Sequence, residues 1–229
     1  LVGEDLGHRI VGRGWTQDGG RPHAETEALG RAGELARGAT AYVSLEPCNH
    51  QGETGACSEA LINAGVKRCV IATEDSDPRV SGGGVKRLQN AGVETLTGIC
   101  QKEALYLNVG FLMRVTEGRP MFTLKTATPL DGRVATVRGN SKWITGAGAR
   151  AFAHGLRADH DAILIGIGTA LADNPSLTCR LPGMEDRSPV RIVADSALRL
   201  APDSLLATPA GEVPTWVITV AMHDAARRT

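Results

Sequence analysis

Three consecutive stretches decide the fold of the first half of the chain: TAYVSLEPC at 40–48, CSEALINAG at 57–65 and KRCVIAT at 67–73. The first and third carry the β-branched and apolar residues that are typical of strands. The second has the apolar spacing of a helix, and Gly65 follows it as a C-terminal stop. A strand, a helix and a further strand in this order predict a layered α/β domain.

The same alternation continues on both sides of these stretches. Further strands are predicted at 9–15, 93–96, 121–127, 161–165, 190–194 and 215–220, and further helices at 23–36, 84–90, 101–115, 148–156 and 170–172. The best linker is Glu117-Gly118-Arg119-Pro120, because Gly and Pro interrupt the preceding helical pattern. We therefore expect two α/β domains, at 1–117 and 118–229.

The composition excludes several classes of partner. Twenty-five basic and 25 acidic residues give a net charge of zero, and aromatic residues make up only 3% of the chain. These values argue against a nucleic-acid-binding surface. No apolar run approaches the roughly 18 residues that a membrane helix needs, and no signal-peptide pattern is present. We expect a cytoplasmic protein in which the five cysteines bind metal or lie buried, as Cys69 does in its apolar run.

A metal-binding pattern lies at the ends of the predicted elements. His23-Ala24-Glu25 opens one helix, Cys48 follows a strand, and Cys57 opens the next helix. One imidazole and two thiolates give zinc three ligands and leave a fourth position for water. Glu25 lies beside the ligands and can carry protons. Zinc deaminases of nucleobases share this arrangement, although their two cysteines are typically closer together in sequence than these.

With these residues, the sequence resembles the bifunctional deaminase–reductase family of riboflavin biosynthesis. In the first half the resemblance rests on HAE at 23–25 and on LEPCNHxGxTxxC at 45–57. In the second half it rests on LKxA at 124–127, LDGR at 130–133, SKWIT at 141–145 and GTxxxDNPxLTxR at 168–180. The resemblance covers nearly the whole chain, with the two halves in the order of the family.

The resemblance implies a cytidine-deaminase-like three-layer α/β domain followed by a dihydrofolate-reductase-like α/β domain. The first would use zinc to deaminate a diaminopyrimidinone that carries a ribosylamino phosphate. The second would use NADPH to reduce the ribosyl chain to ribityl. A homo-oligomer is also implied. Compared with the family, the first helix and the last strands are absent, so we expect the first domain to lack its start and the second its end.

The resemblance also assigns residues. It implies that zinc is bound by His23, Cys48 and Cys57 and that the proton shuttle is Glu25. Substrate contacts are implied at His50, Asp75, Lys125, Asp131, Ser141, Arg157, Leu177 and Arg180. Contacts to NADPH are implied at Ala127, Trp143, Thr169, Asp173 and Ser196. Arginine suits a phosphorylated substrate because its guanidinium group can bind phosphate through two hydrogen bonds.

Two positions depart from the family pattern. Glu53 stands where a basic residue is usual, and Asp77 stands where Asn is frequent. Glu53 would repel a substrate phosphate, which leaves open a zinc deaminase that acts on another base or nucleoside. A non-catalytic, zinc-stabilised module is the other alternative. Glu25 argues against it, because a structural zinc site usually has four protein ligands and needs no adjacent acid.

Overall fold

The computed structural model describes residues 2–4, 9–50, 55–77, 81–208 and 210–220. The chain forms two compact units, Leu1–Thr123 and Leu124–Thr229. Residue 117, where the predicted first domain ends, is the last residue of the last helix of the first unit. None of the helices in the described ranges is long and apolar enough to cross a membrane.

The first unit contains a five-stranded sheet in the order β2-β1-β3-β4-β5. Its strands are β1 (Val2–Glu4), β2 (Ile10–Arg13), β3 (Thr40–Val43), β4 (Arg68–Ile71) and β5 (Glu94–Thr97). Strand β1 pairs antiparallel with β2 and β3, whereas β3, β4 and β5 are parallel. The parallel part is the layered α/β arrangement that the first three stretches predict.

The helices of this unit are α1 (Ala24–Ala32), α2 (Cys57–Asn63), α3 (Gly83–Asn90), α4 (Gln101–Leu107) and α5 (Val109–Glu117). A short 3-10 turn extends α1 as far as residue 36. The core is formed by apolar residues of the strands, of α2 and α3 and of the turns beside them: Ala41, Val43, Leu61, Val66, Cys69, Ile71, Leu88 and Val93. The predicted burial of Cys69 is thereby confirmed.

Two glycines let α1 approach β2 closely. A Cβ atom at Gly12 would lie 2.3 Å from the Ala28 carbonyl oxygen, and one at Gly14 would lie 2.1 Å from the Ala24 carbonyl oxygen. A larger residue at either position would push the helix away from the strand. The close packing therefore fixes the start of α1.

The prediction of one continuous helix over 101–115 is wrong. Asn108 separates α4 from α5, with φ −98° and ψ 7°. Its side-chain Nδ2 donates a hydrogen bond to the Ala104 carbonyl oxygen at 2.8 Å. An asparagine side chain that bonds to the local backbone competes with the regular helical pattern, which explains the break.

The second unit contains a parallel sheet in the order β6-β7-β8. Its strands are β6 (Ala162–Gly166), β7 (Val190–Ala194) and β8 (Thr215–Ile218), and its helices are α6 (Ala147–Ala158) and α7 (Ile167–Asp173). The core consists of Ile167, Ala170, Leu177, Val193 and Leu206. All five elements lie where the sequence predicts a strand or a helix.

The strand predicted at 121–127 is not formed. This segment has no regular secondary structure, and Phe122 and Leu124 are 75% and 89% exposed. A strand is stabilised by backbone hydrogen bonds to a neighbour, and no strand of the described residues pairs with this segment. The β-branched and apolar composition of this segment alone is therefore insufficient to form a strand.

A charged residue lies at the centre of the second sheet. Arg191 on β7 is 0% exposed. Its guanidinium group donates to the carbonyl oxygens of Ser176 at 3.3 Å and Leu205 at 3.1 Å, and also to that of Val213. Ser176 belongs to the loop before β7, and Leu205 and Val213 both belong to the loop after it, so this one side chain holds two loops against the sheet.

Candidate functional site

The first unit brings the three predicted zinc ligands together. The candidate ligand atoms of His23, Cys48 and Cys57 all lie within 4.8 Å of one another. His23 Nδ1 is 3.2 Å from Cys57 Sγ and 3.7 Å from Cys48 Sγ. His23 immediately precedes α1, Cys48 lies in the loop after β3, and Cys57 is the first residue of α2. The three elements therefore meet at their ends, around this cluster.

Backbone contacts close the loop between the two cysteines. The Cys57 N–H donates to Cys48 Sγ at 3.3 Å. Ser58 donates to the Cys48 carbonyl oxygen through its N–H at 3.1 Å and through its hydroxyl at 3.0 Å. The sulfur of Cys48 thus lies at the N-terminus of α2, where N–H groups favour a thiolate. Residues 51–54 of this loop, including Glu53, lie outside the described ranges.

The electrostatics of the cluster fit a divalent cation. A hydrogen bond from the Cys57 thiol lowers the pKa of Cys48 to about 5. The pKa of Cys57 is raised, first by that hydrogen bond, then by burial and by the nearby Glu25 carboxylate. A second thiolate is therefore unfavourable there unless a positive charge compensates it. Two sulfurs and an imidazole nitrogen are ligands that zinc prefers, and three of them leave one position open.

Glu25 lies beside the cluster without belonging to it. It is in the first turn of α1 and only 8% exposed. Burial raises the pKa of its carboxyl group, and hydrogen bonds to its own backbone and to Cys57 partly oppose that effect. A carboxyl group with a raised pKa is suited to accept a proton and then return it near neutral pH.

Glu46, for which the sequence predicts no role, is 3% exposed in the structure. Its Oε2 accepts hydrogen bonds from the N–H groups of Asp75 at 3.2 Å and Gly82 at 2.9 Å. Its Oε1 accepts from those of Gly84 at 2.9 Å and Val85 at 3.1 Å. One carboxylate therefore holds the loop after β4 and the start of α3.

This anchor lies two residues before the ligand Cys48. Gly84 allows the close contact, because a Cβ atom there would lie 2.0 Å from the Pro47 carbonyl oxygen. The sequence contains partial signals, an acid at the end of a strand and the run Gly82-Gly83-Gly84. It does not reveal that residues more than 25 positions apart pair with each other.

The loop held by Glu46 carries Asp75, a predicted substrate contact, and Asp77, which departs from the family pattern. Asp75 and Asp77 are buried, and the Asp77 N–H donates to Asp75 Oδ1 at 2.8 Å. Burial raises the pKa of Asp75, and the exposed His50 is near enough to oppose this shift. The structure thus places His50 and Asp75, two predicted substrate contacts, in one neighbourhood.

In the second unit, two of the predicted substrate residues converge on Thr178. Arg157 Nη1 donates to the Thr178 carbonyl oxygen at 3.3 Å. Arg180 Nη1 donates to the hydroxyl oxygens of Ser176 at 2.6 Å and Thr178 at 3.2 Å. Within the described ranges neither guanidinium group has an acidic partner, so the pair can neutralise a phosphate. The Leu177 side chain lies in the core, which leaves only its backbone for a ligand.

The predicted NADPH contacts are more scattered. Thr169 and Asp173 are exposed and four residues apart on α7, and Ser196 is exposed just beyond β7. The remaining predicted residues of this unit lie in segment 120–146, which has no helix or strand: Lys125, Ala127, Asp131, Ser141 and Trp143. No hydrogen bond or ion pair of the described residues joins these five to the two arginines.

Trp143 offers the clearest surface for a cofactor. Its indole ring is 78% exposed, and the Arg150 guanidinium lies 4.7 Å from the ring centroid. An exposed indole and an arginine suit the aromatic and phosphate groups of a dinucleotide. The residues present in the second unit therefore fit NADPH in chemical type.

Comparisons with known proteins agree with both units. Residues 2–73 match the family model of the cytidine and deoxycytidylate deaminase zinc-binding region, and residues 120–229 match that of the RibD C-terminal domain. The chain is 47% identical over 220 residues to the riboflavin biosynthesis protein RibD of Aquifex aeolicus (strain VF5), covering 96% of this chain and 61% of that protein. It is 46% identical over 218 residues to RibD of Escherichia coli (strain K12), covering 90% of this chain and 59% of that protein.

Solved structures give the same result. A diaminohydroxyphosphoribosylaminopyrimidine deaminase/5-amino-6-(5-phosphoribosylamino)uracil reductase from Thermotoga maritima superposes with a TM-score of 0.84 at 36% identity, over 99% of this chain and 64% of that one. RibD of Acinetobacter baumannii superposes with a TM-score of 0.83 at 40% identity, over 100% of this chain and 64% of that one. The chain thus spans about three-fifths of the length of the relatives that it matches. The two units have the expected cytidine-deaminase-like and dihydrofolate-reductase-like folds.

Proposed function

We infer that this chain belongs to the family of riboflavin biosynthesis proteins RibD, and from that premise we propose that it catalyses two consecutive reactions. The first unit hydrolyses an amino group from a diaminopyrimidinone that carries a ribosylamino phosphate, and releases ammonia. The second unit reduces the ribosyl chain of the product to ribityl. The observation that carries the proposal is the convergence of His23, Cys48 and Cys57 beside the buried carboxyl group of Glu25.

In the deaminase unit, His23, Cys48 and Cys57 would hold the metal. Bound zinc supplies a Lewis acid, which lowers the pKa of water to about 7. Glu25 accepts the proton of the attacking water and returns it to the departing amino group. Its burial supports this role, because a raised pKa lets the carboxyl group keep the proton between the two transfers. A purely structural zinc site would have no need of such an acid.

Substrate binding in this unit falls to His50 and Asp75. Asp75 can accept hydrogen bonds from the ring N–H or amino groups of a pyrimidine, and His50 lies near enough to line the same pocket. The four hydrogen bonds to Glu46 keep the loop of Asp75 in place.

In the reductase unit, Arg157 and Arg180 bind the substrate phosphate, since their charges have no acidic partner in the described part of the chain. We assign the remaining substrate contacts to Lys125, Asp131, Ser141 and Leu177. NADPH supplies the reducing equivalents when bound. We assign its contacts to Ala127, Trp143, Thr169, Asp173 and Ser196, of which Trp143 presents the largest exposed face.

The test is a two-step assay on the phosphorylated diaminopyrimidine, combined with metal analysis of the purified chain. We expect one zinc ion per chain, release of ammonia without NADPH, and oxidation of NADPH only after deamination. The dephosphorylated compound is the matched control and should be a much poorer substrate. Zinc-loaded protein that releases no ammonia would refute the deaminase assignment. Equal rates with both compounds would favour a deaminase for another base or nucleoside.

We further propose that the protein is cytoplasmic, forms a homo-oligomer and has no nucleic-acid partner, as its resemblance and neutral charge suggest. Light scattering coupled to size-exclusion chromatography measures the oligomeric state. A monomer at all concentrations would contradict the homo-oligomer. Retention on a nucleic-acid column at physiological salt would contradict the absence of a nucleic-acid partner.

A further inference from the structure

His154 lies between the two arginines of the proposed phosphate site. It is on α6, one helical turn before Arg157. Its ring nitrogen Nδ1 accepts a hydrogen bond from the backbone N–H of Arg180 at 3.1 Å. Nη1 of Arg157 lies 3.1 Å from the same nitrogen and 3.5 Å from Nε2, and it therefore packs on the face of the ring. The imidazole thus contacts both arginines, the backbone of Arg180 through Nδ1 and the guanidinium group of Arg157 through its ring face.

The hydrogen bond from the Arg180 backbone fixes the protonation state of the imidazole. A nitrogen that accepts an N–H hydrogen bond must carry a lone pair, so the proton is on Nε2 and the ring is neutral. The surroundings favour the same state. Burial lowers the pKa of His154, and the positive charges of Arg157 and Arg180 lower it further.

Further contacts join α6 to the segment that carries Arg180. Cys179 Sγ donates to the His154 carbonyl oxygen at 3.5 Å, and Arg157 Nη1 donates to the Thr178 carbonyl oxygen at 3.3 Å. The side chain of Arg180 turns back to the hydroxyl of Thr178 at 3.2 Å. Both guanidinium groups thus approach Thr178, although their like charges repel each other.

We propose that His154 is a positioning residue for the phosphate of the reductase substrate. Its neutral imidazole holds the Arg180 backbone through Nδ1 and the Arg157 guanidinium against its ring face, so that both positive charges face one anion. This inference rests on the proposed function, because it takes the two arginines as the phosphate-binding groups. Without the imidazole, the repulsion between the guanidinium groups separates them, and the anion loses one of its two partners.

The test uses the whole chain and inorganic phosphate as the probe, with the dissociation constant measured by calorimetry. His154→Asn keeps an acceptor oxygen near the position of Nδ1, whereas His154→Leu removes it. We expect His154→Leu to weaken phosphate binding about tenfold, the loss of one charge-assisted hydrogen bond. His154→Asn should stay within about threefold of wild type. Arg187→Gln, a change at an exposed arginine outside the cluster, is the control for general charge effects and should leave the affinity unchanged.

A purely structural role is separated by two further measurements. Thermal unfolding shows whether each variant is folded at the temperature of the titration. The ¹⁵N spectrum of selectively histidine-labelled wild type reports the tautomer of His154, whose signals among those of the six histidines are the ones that disappear in His154→Asn. We expect an unprotonated Nδ1, and a protonated Nδ1 would overturn the proposal.

The outcomes distinguish the inference from its premise. If wild type does not bind phosphate, the assignment of the two arginines as phosphate-binding groups is wrong, and the positioning role fails with it. If wild type binds phosphate and folded His154→Leu binds equally well, only the positioning role is wrong. If His154→Leu does not fold, the test rests on His154→Asn and on the tautomer measurement. A loss of phosphate binding in folded His154→Asn, which retains the acceptor, would contradict the proposal.

Discussion

At the scale of single residues, Glu25 tests the chemistry of the first unit. Glu25→Gln removes the proton carrier but leaves all three ligand side chains unchanged. We expect zinc content to stay at the wild-type value and the deamination rate to fall by about 10²–10⁴-fold. Ammonia release and metal analysis on the same sample measure both. Glu27→Gln is the control, since Glu27 pairs with Arg31 on the same helix, and it should keep full activity. An active Glu25→Gln variant would exclude the proton-carrying role.

The depressed pKa of His154 predicts a pH dependence of stability. In the folded chain burial and two arginines oppose its protonation, whereas in the unfolded chain its pKa returns to the ordinary value near 6.5. As the pH falls below that value, the unfolded state therefore binds more protons, and the free energy of unfolding decreases. Urea unfolding at pH 7 and pH 5 should show a smaller decrease for His154→Asn than for wild type. An equal decrease in both would contradict the shifted pKa.

At the scale of secondary-structure elements, the glycine at 84 determines how closely α3 approaches the loop of the metal ligand Cys48. Gly84→Ala would place a Cβ atom 2.0 Å from the Pro47 carbonyl oxygen. The helix must then shift and weaken its hydrogen bonds to Glu46, at an expected cost of about 1–3 kcal/mol. Urea unfolding measures the loss. Gly30→Ala on α1 meets no atom within 4 Å, and should instead stabilise by up to about 1 kcal/mol. Equal stabilities of the two variants would contradict the steric argument.

Most elements were predictable because their boundaries are local. The helix that starts at Cys57 and ends before Gly65 has its apolar spacing and its stop signal within nine residues. The two failures depend on other parts of the molecule. Asn108 interrupts the helix over 101–115 through a side-chain hydrogen bond that competes with the helical pattern. The segment 121–127 has the composition of a strand, but composition does not supply the neighbouring strand that it needs.

The residues of the candidate site also divide into those that local sequence signals predict and those that depend on distant parts of the chain. The metal ligands were predictable, since His23, Cys48 and Cys57 lie at the ends of elements that the sequence itself marks. The supporting groups were not. Glu46 accepts hydrogen bonds from four backbone N–H groups that lie 29 to 39 residues away. His154 accepts one from a backbone N–H group 26 residues away. Such partners depend on tertiary packing, which periodicity and motif spacing do not reveal.

At the scale of the whole molecule, the metal connects segments that are distant along the chain. It would join the start of α1, the loop after β3 and the start of α2 through His23, Cys48 and Cys57. Zinc at about 1,000 times its dissociation constant should stabilise the first unit by about 4 kcal/mol. A chelator should therefore accelerate amide hydrogen exchange in α1 and α2. Amides of β6 and β7 are the internal control, and faster exchange there to the same extent would contradict a local effect of the metal.

The buried arginine of the second sheet has a consequence for how that unit forms. Arg191 is sealed from water and surrounded by carbonyl oxygens from the two loops that flank β7 in sequence, so a missing loop would leave a desolvated cation without one or more of its acceptors. Partly folded intermediates are therefore high in free energy, and we expect the loops to fold cooperatively with the sheet. The second unit should accordingly unfold in one sharp transition, without gradual loosening at its rim.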